Sequence, residues 1–132
     1  MFGVNAFSSM RPPLLLLIED EPDLRELLTA FLEANGLHVL ACATAEEGLR
    51  ALEQVPPVRF DACLTDLDLP GLSGWQFIAR AQRLAPDLPI LIHSCRDPET
   101  TAEARALPGV KGYLRKPTSP ETLLQALRSF LA

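Results

Sequence analysis

Five times along the 132-residue chain a short apolar run gives way to a stretch with helical periodicity. Leu14 to Ile18 is continuously apolar, the mark of a strand buried on both faces. Leu24, Leu27, Leu28, Phe31 and Leu32 then follow i, i+3, i+4, i+7, i+8 spacing and predict an amphipathic helix closed by Asn35-Gly36. Leu37 to Ala43 reads as a second strand. Thr44 with Glu47 forms a capping box ahead of a helix that buries Leu49 and Leu52 and stops at Pro56-Pro57. Phe60 to Thr65 is the third strand. Ser73 with Gln76 is another capping box, and Trp75, Ile78, Ala81 and Leu84 or Ala85 supply the packed face of the next helix. Trp75 itself reads as core or as a surface lid.

Pro89 to Ser94 is a fourth strand, and Asp97-Pro98 opens a helix with Pro at its first position. Its apolar face is mostly alanine (Ala102, Ala104 and Ala106, with Leu107), so it is weakly anchored. Val110 to Arg115 is a more polar strand suited to a sheet edge. A last helix begins near Ser119-Pro120 and buries Leu123, Leu127, Phe130 and Leu131. Strands alternating with helices through short loops imply right-handed crossovers, hence an α/β fold with a parallel five-stranded sheet and helices on both faces.

The length is that of one domain, and 48% hydrophobic residues suffice for its core. Residues 1–13 read as an irregular N-terminal extension, with Met10 as an alternative start, and 14–132 as the folded domain. No apolar run approaches the ~20 residues of a membrane span. Arg11 is the one cation of the extension, which lacks the long apolar core of a signal peptide. Cys42, Cys63 and Cys95 are odd in number and suit reduced thiols in a cytosolic (cytoplasmic) protein. A net charge of −5 argues against nucleic-acid binding.

Two of the apolar runs end in acids: Glu19-Asp20-Glu21 follows the first, and Asp66 follows the third, ahead of Leu69-Pro70-Gly71. Acids are poor strand residues and costly to bury unpaired, so this recurrence points to a site. Such sites lie beyond the carboxyl ends of parallel strands, where the winding reverses. With the flavodoxin-like order 2-1-3-4-5, the ends of strands one and three flank that reversal. Two carboxylates ~4 Å apart repel by about 4 kcal/mol at an effective dielectric of about 20, roughly three pKa units. Glu19, Asp20, Asp66 and, if it joins them, Asp68 therefore either hold a proton near neutrality or bind a cation. An all-oxygen, partly hydrated site suits Mg²⁺, and no Cys or His is placed to favour zinc. Ser94 ends the fourth strand with a hydroxyl, and Lys116 ends the fifth with a cation. Together these groups form a phosphoryl-binding set in which a carboxylate can serve as nucleophile and become an acyl phosphate. His38 and His93 have no partner pattern and read as structural.

Residues 14–132 resemble the receiver domain of two-component response regulators through LLLLIEDE at 14–21, LTDLDLPGLSG at 64–74, ILIHS at 90–94 and GYLRKP at 112–117. The resemblance implies that Asp66 accepts a phosphoryl group from a histidine on a sensor kinase or phosphotransfer protein. It implies that Glu19, Asp20 and Asp66 hold Mg²⁺ with the backbone carbonyl of Asp68. Ser94 would bind a phosphoryl oxygen, Lys116 would pair with it, Tyr113 would swing inward on activation, and the Lys116-Pro117 bond would be cis. Four departures from the usual pattern stand out. Glu19 replaces the commoner aspartate and would reach the metal through water. Cys95 replaces a small alanine and would narrow access to Asp66. Thr118 replaces a frequent aromatic and would loosen the last loop. Asp68 adds a charge that would alter the lifetime of the acyl phosphate.

A stand-alone phosphorylation-operated binding module, not an enzyme in its own right, is the leading expectation, since the chain stops just after its last helix with no output domain. Its output would be contact with a downstream protein. A receiver belonging to a larger hybrid kinase stays open. Asp66-Leu67-Asp68 also mimics the Asp-x-Asp of haloacid-dehalogenase-like phosphatases, although it lies on the third strand and lacks a later acidic pair. A flavin carrier on the same fold would need a Ser/Thr-rich phosphate loop where Glu19-Asp20-Glu21 stands.

Overall fold

A computed structural model of the chain describes residues 11–131. Residues 1–10, which hold most of the expected extension and Met10, lie outside the described residues, as does Ala132. The strands are β1 (Leu14–Ile18), β2 (His38–Cys42), β3 (Ala62–Thr65), β4 (Ile90–Ser94) and β5 (Val110–Arg115). All pair in parallel, in the order β2-β1-β3-β4-β5. The fold is therefore the flavodoxin-like doubly wound sheet. Helices α1 (Pro22–Ala34), α2 (Ala45–Leu52), α3 (Gly74–Leu84), α4 (Ala102–Arg105) and α5 (Pro120–Arg128) complete it.

Burial follows the apolar runs. β3 and β4 are buried throughout and β1 nearly so, whereas the edge strands β2 and β5 are largely exposed or half-buried. Alternate residues feed two cores, as the strand period requires. On one face Leu16, Ile18, Cys63, Ile90 and Ile92 meet α2, α3 and α4. On the other Leu15, Leu17, Leu64 and Leu91 meet α1 and α5. Register then aligns the strand ends. Ile18 pairs with Thr65 and Ser94 with Arg115, so Glu19, Asp66, Cys95 and Lys116 all leave the sheet at one edge.

The caps hold as read, with one difference. Ser73 and Gln76 make both bonds of a capping box. Thr44 accepts from the Glu47 N–H, but the Glu47 carboxylate reaches back to the Ala43 N–H. Among the described residues no helix is long and apolar enough to cross a membrane. Both Lys116-Pro117 and Val55-Pro56 are cis, the first as the resemblance implied. Cys42, Cys63 and Cys95 are free; burial pushes the Cys42 thiol up to about 11 and the Cys63 thiol higher still.

The packed faces of the helices hold, with three differences of detail. Leu27 belongs to the apolar stripe of α1 yet is 54% exposed, because α1 meets the sheet mainly through Leu28 and Leu32. In α3 and its C-cap the expected Ile78 and Ala81 are buried, Trp75 and Ala85 pack half-buried on the core, Leu84 is exposed, and Phe77, not expected, is fully buried as well. The alanine-rich fourth helix is one 3₁₀ turn (Pro98–Thr101) followed by the four-residue α4. Of its expected apolar face only Ala104 is buried, and Ala102 and Ala106 are exposed. Methyl groups cover too little area to hold a longer helix down.

His93 lies in β4, 3% exposed, and its Nε2 has no hydrogen-bond partner. Burial, helped by the Lys116 charge and opposed by Asp66, pushes its pKa from 6.5 down to about 4. The unfolded chain takes up a proton near pH 6.5 that folded His93 refuses until about pH 4. Stability from this group is therefore whole above the upper value and is lost as pH falls toward the lower one, by up to about 3 kcal/mol. Urea unfolding at pH 7 and pH 4.5 is expected to show a drop that is smaller by about 2–3 kcal/mol in His93→Gln than in the parent chain. Equal drops would show that His93 is already charged in the fold. In the same assay Phe77→Ala should cost about 3–5 kcal/mol, and half-buried Trp75→Ala clearly less.

Candidate functional site

The carboxylates of Glu19, Asp20 and Asp66 converge beyond the ends of β1 and β3, each with an oxygen within 4.8 Å of the others. Glu19 and Asp66 are buried at 2% and 7% exposure, whereas Asp20 faces solvent. Lys116, arriving from β5, donates to both buried acids: Nζ lies 2.8 Å from Asp66 Oδ2 and 2.9 Å from Glu19 Oε1. The other oxygens are held by backbone. Asp66 Oδ1 accepts from the N–H groups of Leu67 and Asp68, at 2.6 and 3.1 Å. Glu19 Oε2 accepts from the Glu21 N–H at 3.1 Å.

These contacts have opposed electrostatic costs. Burial raises the Glu19 pKa, and the bonds from Lys116 and the Glu21 N–H only partly offset it. Burial also works against the Lys116 charge, but the bonds to Asp66 and Glu19 outweigh it and hold the ammonium well above its usual pKa. Lys116 pairs with two of the three carboxylates and Asp20 adds a third, so the cluster holds more acids than cations. Its all-oxygen donors and the open side at Asp20 fit a hard divalent cation that retains water, Mg²⁺ above all.

Ser94 is fully buried at the end of β4, and its Oγ accepts from the Arg96 N–H at 3.2 Å. Its carbonyl accepts from the Lys116 N–H, so β4 and β5 deliver hydroxyl and ammonium side by side. Tyr113 donates its hydroxyl to the Arg96 carbonyl at 2.7 Å. The Asp68 carboxylate turns away from the cluster to Arg96, 2.6 Å from Nη2, and both side chains are half exposed. The charge expected to bear on Asp66 thus has an exposed cation beside it. Glu19 is engaged by Lys116, Cys95 is exposed, and the Thr118 hydroxyl ties back to the Arg115 carbonyl instead of loosening the loop.

Three supporting residues escaped sequence reasoning. Arg25 of α1 donates from Nη1 to the Glu19 carbonyl at 2.9 Å, bracing the acidic loop. Gly74 packs its α-carbon so close to the Asp66 carbonyl and Leu67 that a β-carbon there has no room. A glycine directly after the Ser73 cap, where helix propensity gains nothing from it, was the available signal. Arg96 left no signal, because its partners Asp68 and Trp75 are distant in sequence. A groove of about 940 Å³, lined by Arg11, Phe60, Leu88 and Phe130 among others, lies at the opposite, amino-terminal end of the strands.

The family model for the response regulator receiver domain matches residues 15–128. Protein PilH of Pseudomonas aeruginosa is 32% identical over 120 residues, which are 89% of this chain and 97% of PilH. The transcriptional regulatory protein GlrR of Escherichia coli is 32% identical over 119 residues, 90% of this chain but 26% of GlrR, so the chain spans about a quarter of that relative. Among solved structures, the chemotaxis response regulator CheY4 of Vibrio cholerae superposes with a TM-score of 0.81 at 30% identity, covering 92% of this chain and all of CheY4. With the acids, hydroxyl and lysine gathered at the same sheet edge, the chain belongs to the response regulator receiver domain family.

Proposed function

We propose that this domain is the phosphoacceptor of a cytoplasmic two-component or phosphorelay system, with Asp66 as the residue modified. The observation that carries this is the 2.8 Å contact between Asp66 Oδ2 and Lys116 Nζ inside a surplus of carboxylates. An Asp66 oxygen attacks phosphorus in line. The bond from phosphorus to the donor nitrogen breaks, and its electron pair stays on the histidine imidazole, which takes up a proton. Asp20, Asp66, Glu19 and the backbone carbonyl of Asp68 would hold Mg²⁺, directly or through water. When bound, the ion neutralises charge on the transferring oxygens. Lys116, 2.8 Å from Asp66 Oδ2, would supply a cation to one acyl-phosphate oxygen, and Ser94 Oγ would donate to another. The acyl phosphate is a change of charge on one loop, and its effect on Ser94 and Tyr113 is to alter a protein-binding surface near β5 and α4. The donor is a phosphohistidine on a kinase or phosphotransfer protein, and the receiver of the signal is a further protein. Beyond its own phosphorylation and dephosphorylation the domain turns over no substrate.

Incubation with acetyl phosphate and Mg²⁺ is expected to add one phosphate by mass, and chelation with EDTA should abolish the gain. Asp66→Asn should remain unmodified. If it still takes up phosphate under the same conditions, Asp66 is not the acceptor.

A further inference from the structure

Arg96 touches more of the site than any sequence pattern announced. Its N–H donates to Ser94 Oγ at 3.2 Å, and its carbonyl accepts from the Tyr113 hydroxyl at 2.7 Å. Its guanidinium donates from Nε to Asp68 Oδ1 at 2.7 Å and lies 5.2 Å from the centre of the Trp75 ring. One residue thus joins the loop after β3, the start of α3, the end of β4 and the aromatic of β5. Asp68 is itself bound to the acceptor, its N–H donating to Asp66 Oδ1 at 3.1 Å.

The side-chain half of this junction is built to exchange. Asp68 and Arg96 are each 47% exposed, so their attraction is screened and weak. The cation over Trp75 is likewise an exposed contact. A phosphoryl group on Asp66 carries about −1.5 to −2 charge and three strong acceptor oxygens. It offers the guanidinium separate oxygens for its two donors, whereas Nε and Nη2 now share the one Asp68 Oδ1, at 2.7 and 2.6 Å. The competing charges nearby are Lys116, already committed to Asp66 and Glu19, and Arg115, which faces Asp97 at 4.0 Å.

We propose that Arg96 is a phosphoryl-responsive latch: its guanidinium rests on Asp68 and Trp75 in the unmodified domain and leaves both for the phosphoryl group once Asp66 is modified. This rests on Asp66 being the phosphoacceptor. Because the backbone of Arg96 holds Ser94 Oγ and the Tyr113 hydroxyl, the exchange carries the loop after β4 with it. Asp68 is the resting-state competitor that keeps the latch shut.

Trp75 is the one tryptophan of the chain, so its emission reports the latch directly. Fluorescence and intact mass are read on the same sample during incubation with acetyl phosphate and Mg²⁺. The parent domain is expected to gain one phosphate and shift its emission to longer wavelength, as water replaces the guanidinium on the ring. Arg96→Ala, an exposed change, should show the shifted emission beforehand and no further shift on modification. Asp68→Asn should start between the two. A phosphate gained with unmoved emission overturns the latch and leaves the acceptor assignment intact. The same shift in Arg96→Ala as in the parent also overturns it. No gain in mass overturns the acceptor assignment, and the latch with it.

Discussion

Everything at the functional edge depends on one ammonium shared by two buried carboxylates. Glu19 and Asp66 come from different loops and are almost wholly out of solvent. Their mutual repulsion at such range is worth about 4 kcal/mol at an effective dielectric of about 20, and Lys116 offsets it by bonding both. Removing that lysine would leave two buried charges without a partner, which is far worse than never having formed the pair. The ends of β1, β3 and β5 are thus tied by charge as well as by their ladders. Because Lys116 is the residue that follows β5, the geometry also requires the sheet to be complete before the site exists.

The hydrophobic pattern made the fold legible where burial is one-sided in its demands. β1, β3 and β4 are short apolar runs that no exposed element could carry, and their ends fell within two residues of expectation. On the helices the pattern found most of the packed face but not its depth, because period alone does not say how deep a position sits. Leu27 and Phe77 illustrate this in opposite senses. Leu27 matches the stripe but lies on the rim of α1, while Phe77, one residue before Ile78, reaches the floor of the sheet. The fourth helix opens where expected and is short for an energetic reason: alanines satisfy a helical pattern without supplying the buried area that keeps a helix in place.

The site was legible to the extent that its chemistry is strand-borne. Glu19, Asp20, Asp66, Ser94 and Lys116 each stand at a strand end, so register alone brings them together once the strand order is known. Arg25, Gly74 and Arg96 act from helices and loops, through backbone approach or exposed pairing. Such contacts depend on angles between elements that no single-sequence periodicity encodes. Asp68 shows the consequence. By position it looked like an added charge beside Asp66, and the fold sets a cation 28 residues on against it.

Two grades of ion pair therefore stand a few residues apart. The Lys116 contacts are buried, multiply bonded and fixed by strands on either side, so they set geometry. The Asp68–Arg96 contact is exposed and borne on loops, so solvent screens it and it is weak. A signalling site has use for both. The buried pair holds the Asp66 carboxylate in place from two sides. The weak pair is the element that a charge change of the size of a phosphoryl group can outbid. Because that weak pair is joined through one residue's backbone to Ser94 and Tyr113, an event confined to Asp66 has a short, physically continuous route to the surface formed by β5 and the poorly anchored fourth helix.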